Sequence, residues 1–389
     1  MRLLTKKGYI LICTLYLNLL FSQEIKDSLM NNHQIKISGS FDGYFRTNLN
    51  TYNRYYQEDE SDAIVPPTSF ANKPGFALGM VNVKAEYNHN NIGAVIDLAA
   101  GPRAEEAISS DGNSTDLINQ LYIHWNPTEK ITLTFGRFNT FLGYEVISPI
   151  DNFNYSTSYM FSYGPFSHTG LKGEYQFSDA FSGMVAIMNP TDVTSYNPYG
   201  TYTLGMQLGY TKDKGCVYLN FLLGDQDGKL KHDKNNIGDT SSGKTFQVDL
   251  TTGIDLSSKL YIGFNTTYNQ TEAGEIYTAT GIEKQTADDS GFWGGALYTH
   301  YQIAEKIALG LRTEYFNEFE NGVGALGLYD LNGNADVWDI TLTGNVALGN
   351  LELKPEFRYD FASEAIFAKE NGTTQSSLGS LLIAAIYKF

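Results

Sequence analysis

Residues 351–361 hold the pattern that constrains this chain most. Leu351, Leu353, Phe357 and Tyr359 stand on one side of an extended backbone, and Glu352, Lys354, Glu356, Arg358 and Asp360 stand on the other. Successive side chains of a strand point to opposite faces, so an oily face opposes five consecutive charges. The charged face needs water and the oily face must be kept from it. One such strand fits a soluble sandwich as well as a membrane barrel. Repetition separates the two. Phe246, Val248, Leu250, Thr252, Ile254 and Leu256 oppose Gln247, Asp249, Thr251, Gly253 and Asp255. Leu260, Ile262, Phe264, Thr266 and Tyr268 oppose Tyr261, Gly263, Asn265 and Thr267. No other part of the chain offers a separate core that would hide so many apolar faces.

The C-terminus points the same way. Counting back in twos from the end gives Phe389, Tyr387, Ala385, Ile383 and Leu381, a greasy face of membrane-spanning length that stops on an aromatic. We read it as the strand that closes a barrel against the first strand, and as the segment that the barrel-assembly machinery engages. The alternation predicts an all-β, up-and-down antiparallel transmembrane barrel of about sixteen strands, at 33–48, 75–88, 91–100, 117–127, 130–138, 169–177, 180–189, 201–212, 215–224, 244–256, 259–270, 291–303, 305–317, 336–348, 350–361 and 377–389. Alternation is poorest in 75–88, 117–127 and 169–177. Connections alternate between tight turns, such as Ser178-Asp179 and Ser257-Ser258, and long loops, of which 139–168 is the longest. An even strand count puts both termini on the periplasmic side. Pro355 lacks an amide hydrogen and sits inside a strand, which predicts a bulge there.

Composition fits this reading. The chain has 27 Tyr, 23 Phe and 38 Gly against 10 Pro, which suits strands with interfacial aromatic girdles. Its mean hydropathy of −0.27 resembles a soluble protein only because polar lumen residues offset apolar lipid-facing ones. A formal net charge of −16 argues against nucleic-acid partners, which call for a basic surface. Arg2, Lys6 and Lys7, the apolar run Gly8 to Phe21 and the small Ser22 read as an export signal over residues 1–22, leaving 23–389 as a single outer-membrane barrel domain. Two cysteines in the whole chain rule out a cysteine-rich metal cluster.

Gly136-Arg137-Phe138, Leu142-Gly143-Tyr144-Glu145, Asn152-Phe153-Asn154-Tyr155-Ser156 and Tyr163-Gly164-Pro165-Phe166-Ser167-His168-Thr169-Gly170 form a distinctive run. It resembles the OmpL-like β-barrel porins of Bacteroidetes outer membranes. The likeness is specific over about 40 residues, 136–175, and elsewhere rests on the barrel pattern, the signal and Phe389. It implies a Gram-negative outer-membrane pore of broadly porin type and supplies no substrate.

Loop 139–168 holds Phe141, Tyr144, Phe153, Tyr155, Tyr159, Phe161, Tyr163 and Phe166. An aromatic-rich loop is costly to leave in water, so it is expected to fold into the barrel and constrict it, with Glu145 and Asp151 as acidic groups there. Packing across the barrel mouth is the alternative. Strand phase places Lys36, Asp42, Arg46, Lys172, Glu174, Asp249, Arg312, Glu314, Lys354, Glu356, Arg358 and Asp360 towards the lumen, as pore-lining charges or as ion pairs that stiffen the wall. Strict alternation sends Arg137 towards lipid, unless a bulge intervenes or the strand has left the bilayer. The acidic run Glu58, Asp59, Glu60 and Asp62 reads as a solvated loop. Asp330, Asn332, Asn334 and Asp336 have the alternate spacing of a calcium loop but lack its glycine position and its final glutamate. Catalysis is not expected, because the six His are scattered and no Gly-x-Ser-x-Gly occurs. Ser167-His168, His124 and His300 are the groups to check. The expected activity is passive diffusion of small hydrophilic solutes through a lipid-embedded channel, without cofactor or metal, in a barrel of a size that suits a homotrimer. The rival is a closed structural barrel that docks a larger outer-membrane assembly.

Overall fold

The structure is a computed structural model that describes residues 34–53, 64–108, 114–230 and 237–389. The expected signal and the acidic run at 58–62 lie outside those residues. Sixteen strands form one closed barrel in which each pairs with its sequence neighbours. They are β1 (Gln34–Asn48), β2 (Gly75–His89), β3 (Ile92–Ala100), β4 (Ile118–Thr128), β5 (Ile131–Asn139), β6 (Ser167–Gln176), β7 (Phe181–Met188) and β8 (Thr203–Lys212). The second half holds β9 (Gly215–Asp225), β10 (Lys244–Asp255), β11 (Leu260–Thr271), β12 (Ser290–Ala304), β13 (Ile307–Phe319), β14 (Ala335–Leu348), β15 (Leu351–Ala362) and β16 (Ser377–Lys388). Strand ends fall within two residues of those expected from alternation.

Burial explains why the pattern works. In β16, Leu381, Ile383 and Tyr387 point outwards and are exposed, while Leu382, Ala384 and Ile386 point inwards and are buried. Closure follows from antiparallel pairing of β16 with β1. It ends where the Gly39 amide donates to the Phe389 carbonyl at 3.1 Å and the Phe389 amide donates to the Gly39 carbonyl at 3.0 Å. The tight turns use residues that tolerate left-handed backbone: Asn90 has φ 55°, Asp213 46° and Gly349 69°.

The ladder shifts register between Phe41 and Gly43 against β2, between Asp97 and Leu98 against β4, and between Trp125 and Thr128 against β5, all beside stretches of poor alternation, and also between Gln302 and Ala304 against β13, where alternation is clear. At Pro355 the expected bulge is absent. Pairing with β14 skips this point and resumes in the same register, Thr343 to Glu356 and Val346 to Leu353. Gly344 opposes the proline ring and leaves room for it. A missing amide hydrogen is thus absorbed by a small partner rather than by an extra residue.

The long connections carry short elements. Helix α1 (Pro102–Ala107) follows β3, and helix α2 (Tyr159–Tyr163) lies between β5 and β6. Thr240–Ser241 pairs with Glu275–Thr278, which pairs with Gly281–Lys284, and this small sheet joins the loops after β9 and β11.

Candidate functional site

The connection between β5 and β6 is pinned to the inward wall of the barrel by its own backbone. Glu356 of β15 accepts from the amides of Tyr155 at 2.7 Å and Ser156 at 3.2 Å. Glu314 of β13 accepts from the amides of Tyr159 and Met160 at 2.7 and 2.8 Å. These two amides open α2, and the first-turn amides of a helix have no partner inside it. Ser158 caps the same end, its Oγ accepting from Phe161 at 3.1 Å. Asp249 of β10 accepts from the Gly143 amide at 3.0 Å. Hydrogen bonds to charged groups contribute about 1.5–3 kcal/mol each, so this loop is held at several points by more than ordinary contacts.

Cations complete the clamp. Arg312 donates to Glu145 Oε1 and to the Ser156 carbonyl, both at 2.7 Å, and to Asp339 at 2.7 Å. Arg358 donates to the Thr157 carbonyl at 2.7 Å and to Asp360 at 2.8 Å. Lys354 donates to the Pro149 carbonyl at 2.9 Å. The planar guanidinium fork suits two or more acceptors at once, which explains arginine at the two positions where carbonyls and carboxylates converge. Tyr159 donates to Asp360 at 3.0 Å, and the Tyr155 hydroxyl donates to Asp42.

Other loops lock onto this one. Arg103 of α1 donates to the Ile147 and Tyr155 carbonyls at 3.2 and 2.8 Å and lies over the Phe70 and Tyr155 rings. The Phe70 amide donates to Glu106, and the Tyr163 hydroxyl donates to the Pro67 carbonyl. Phe70, Met80, Ala104, Ala107, Ile147, Phe161 and Phe166 form one buried cluster. Tyr144, Phe153, Tyr159 and Met160 form another with Phe292, Tyr298 and Phe316 of the wall, and with Ala325, Leu326, Ile366 and Phe367 of later loops.

Of the residues singled out from sequence, Phe141, Tyr144, Glu145, Phe153, Tyr155 and Tyr159 are buried, whereas Asp151 is exposed to a cavity. Among the inward charges, Lys36, Lys172 and Glu174 border that cavity. Asp42, Arg46, Asp249, Arg312, Glu314, Lys354, Glu356, Arg358 and Asp360 are buried instead, and loop atoms are among their partners. Arg46, for example, donates to the Ala71 carbonyl at 3.2 Å and to Ser380 at 2.9 Å. Arg137 stays in the register of the outward Leu121 with no ladder shift, and is buried because the loop after β7 covers it: it donates to the Asn119 carbonyl at 3.1 Å and to Thr194.

The cavity has a volume of about 2100 Å³. It lies at the tight-turn end, bordered by Asn90, Pro127, Ser178, Lys212 and Asn350, and is roofed by Thr140, Phe141 and Asp151 to Phe153. Its wall carries opposite charges in pairs: Lys84 with Glu86, and Lys172 with Glu174 at 3.5 Å.

The groups weighed for catalysis have other partners. Ser167 donates to Asp192 at 3.3 Å, while His168 shares a hydrogen bond with Thr140 at 2.9 Å and packs on Phe141. His124 lies near Tyr122, and His300 stacks on Phe153. Asp330 accepts from the amides of Asn332 and Asn334, both at 2.8 Å, so the alternate spacing seen in sequence builds a turn. Among the described residues no group of three or more His, Cys, Asp or Glu is placed to hold a metal ion.

Sequence reasoning missed the role of Glu314 and Glu356 as clamps for paired amides, and missed Arg103. The signal for α1 was present, since Pro102 followed by Arg-Ala-Glu-Glu-Ala is a proline-led run of helix formers.

A closed sixteen-stranded barrel with an oily exterior, inward charges and a cavity lined by charged and polar side chains is an outer-membrane barrel of porin type. The chain belongs to the family described as "Putative beta-barrel porin-2, OmpL-like", which matches residues 34–389. No curated protein sequence matches it. Solved structures share its fold. The outer-membrane channel DcaP of Acinetobacter baumannii aligns over 92% of this chain and 98% of its own, at 13% identity and a TM-score of 0.58. An anion-selective porin from Comamonas acidovorans aligns over 92% and 100%, at 9% identity and 0.56. OprB of Pseudomonas putida aligns over 94% and 96%, at 11% identity and 0.55.

Proposed function

We propose that this barrel is a passive diffusion channel for small hydrophilic solutes, narrowed by loop 139–168. The observation that carries the reading is the juxtaposition of a wet, charge-lined cavity at the tight-turn end with a loop anchored by Glu314, Glu356 and Arg312 at its roof. A barrel of sixteen strands is wide enough for an aqueous path even when a loop occupies part of it. Solute would move past the loop through this cavity, which is lined by residues of β1 to β8 and of β12 to β16. Both termini are periplasmic in this reading, residues 1–22 are removed on export, 23–389 fold as one domain, and β16 is the segment presented to the barrel-assembly machinery. A homotrimer fits a barrel of this class; the solved OmpT of Vibrio cholerae is described in a trimer form.

One observation favours the closed structural barrel. Arg46, Arg312, Arg358 and Lys354 are almost wholly buried, so the loop-side half of the lumen is packed around β1 and the β12–β16 wall. Liposome swelling separates the two. A channel admits small sugars and excludes larger ones with a sharp size limit; a sealed barrel gives no swelling with any of them.

A further inference from the structure

Charge is spread unevenly along the barrel axis. At the long-loop end, eleven carboxylate side chains are exposed among the described residues, against three ammonium groups, Lys229, Lys244 and Lys284. At the tight-turn end, five exposed carboxylates stand against seven exposed lysines. The acid is densest where the loops after β9 and β11 join, and Asp227, Asp239, Glu272, Glu283, Asp288 and Asp289 are all exposed there. The arginines do not offset it. All five described arginines, Arg46, Arg103, Arg137, Arg312 and Arg358, are at most 3% exposed, and none borders the cavity. Their forks are taken up by protein groups: Arg46 by the Ala71 carbonyl, Arg103 by the Tyr155 carbonyl, Arg137 by the Asn119 carbonyl, Arg312 by Asp339 and Arg358 by Asp360. A guanidinium fork is the group that takes phosphate or carboxylate bidentately, so an anionic solute in the cavity meets only lysines. Seven lysines border the cavity against nine carboxylate side chains, and two of them are held by Glu86 and Glu174.

We infer that the channel prefers cations to anions, and that the exposed acid of the long-loop mouth sets the preference rather than a charged ring in the lumen. The inference rests on the channel reading above and names the charge class of its solutes: small inorganic and organic cations, with phosphate- and carboxylate-bearing solutes held back. Charge of one sign around an opening in a low-dielectric wall raises the local concentration of the opposite sign. A mouth potential of one kT enriches a monovalent cation about threefold and depletes an anion about as much, a contrast of about sevenfold. The cavity is a weaker source of contrast, because its carboxylates and lysines nearly cancel in number. Exposed charge is also the most easily screened: the Debye length is about 30 Å at about 0.01 M salt and about 3 Å at about 1 M. A preference made at the mouth therefore fades with salt, whereas one made by groups lining a narrow lumen persists.

The test is the reversal potential of the full barrel in planar bilayers under a potassium chloride gradient, repeated as mean salt rises from about 0.01 M to about 1 M. Two triple variants accompany it. Asp239→Asn, Glu272→Gln and Asp288→Asn neutralise the loop mouth at carboxylates that make no side-chain hydrogen bond among the described residues. Glu129→Gln, Asp179→Asn and Asp213→Asn neutralise the same number at the tight-turn end. The expected result is potassium over chloride by at least about threefold in dilute salt, falling towards parity in concentrated salt. The loop-mouth triple should lower the ratio in dilute salt by about half, and the tight-turn triple should move it less. Heat-modifiable migration confirms that each variant is folded, and the salt series on the wild type decides alone if one is not. The inference is overturned by a chloride preference, by parity in dilute salt, by a ratio that persists undiminished in concentrated salt, or by a folded loop-mouth triple that matches the wild type. A conducting barrel with any of these results keeps the channel reading. A barrel that passes no ion at any salt concentration sinks that reading and this inference with it.

Discussion

Replacing Arg312 by methionine should free the inserted loop while leaving the barrel closed. Methionine keeps much of the side-chain volume and drops the charge. The change takes from Glu145 its ion-pair partner and from Asp339 the closer of two, Arg358 remaining at 3.3 Å; Arg312 meets each carboxylate at 2.7 Å in buried contacts. It also takes the donor at 2.7 Å from the Ser156 carbonyl, while the Thr157 carbonyl loses a contact at 3.2 Å and keeps Arg358 at 2.7 Å. Breaking a buried ion pair by removing one partner costs about 3–5 kcal/mol. The backbone of Arg312 stays in the β13 ladder, with Tyr298 on one side and Thr341 on the other, so that cost falls on the loop rather than on the sheet. At about 1.4 kcal/mol per tenfold, protection of the Tyr155, Ser156, Tyr159 and Met160 amides against hydrogen exchange should fall by roughly a hundredfold to a few thousandfold. Strand amides of β13 should keep theirs. Mass-resolved exchange on detergent-folded protein reads both in one experiment. Unchanged protection of those four amides, or an equal loss across β13, would refute the idea that Arg312 holds the loop from the wall.

Three further outcomes follow from the geometry. The Asp192 carboxyl, in the loop after β7, is pushed up to about 6 by burial, against the pull of the Ser167 and Phe166 amides that donate to it and of Arg137. Its native pKa lies above the unfolded value, so its contribution is fully present below about pH 4 and is lost as pH rises through 6, by at most about 3 kcal/mol and less for its partial exposure. Asp192→Asn should raise the urea midpoint at pH 8 and leave it nearly unchanged at pH 4. Gly39→Val should impair closure, since a Cβ there meets the Asn82 carbonyl oxygen at 2.5 Å and the Phe389 ring at 2.6 Å. Overpacking of this kind costs about 1–3 kcal/mol, visible as a lowered temperature at which heat-modifiable migration is lost. Glu318 accepts from the Val323, Ala325 and Leu326 amides and the Tyr329 hydroxyl, so Glu318→Ala should open loop 320–334 to limited proteolysis while the strands stay resistant.

The barrel was legible because alternation, tight turns and long loops each report on it independently. Sixteen strands emerge from the pattern, and two stretches where it is poorest, 75–88 and 117–127, lie at three of the four register shifts; the fourth, at Gln302 and Ala304, falls at the tight turn between β12 and β13. In 169–177 the cause is different: Gly170 and Gly173 erase the contrast between faces. The filling of the lumen was written in the sequence but went unread. Leu382, Ala384 and Ile386 occupy inward positions of β16, and Phe292, Ala296, Phe316 and Val337 do so in β12 to β14, all of them buried. Apolar residues on the inward face of a pore need a cover, and that cover is supplied by loops. The amide clamps could not be read, because a carboxylate that binds backbone leaves no mark in its partner's residue type. The bulge in β4, where Asn119 is left between the Asp97–Gln120 and Leu98–Ile118 pairs, was hidden for a related reason: an extra residue in a strand looks like a phase error until its partner strand is known.

The most direct measurement is single-channel conductance in planar bilayers, comparing the full barrel with a variant in which residues 144–164 are replaced by a short glycine-serine linker. The account predicts small, stable, ohmic steps for the full barrel and several-fold larger ones for the variant, both from protein that migrates as folded. Equal steps in the two proteins would contradict it, because a loop that does not narrow the path cannot lie across it.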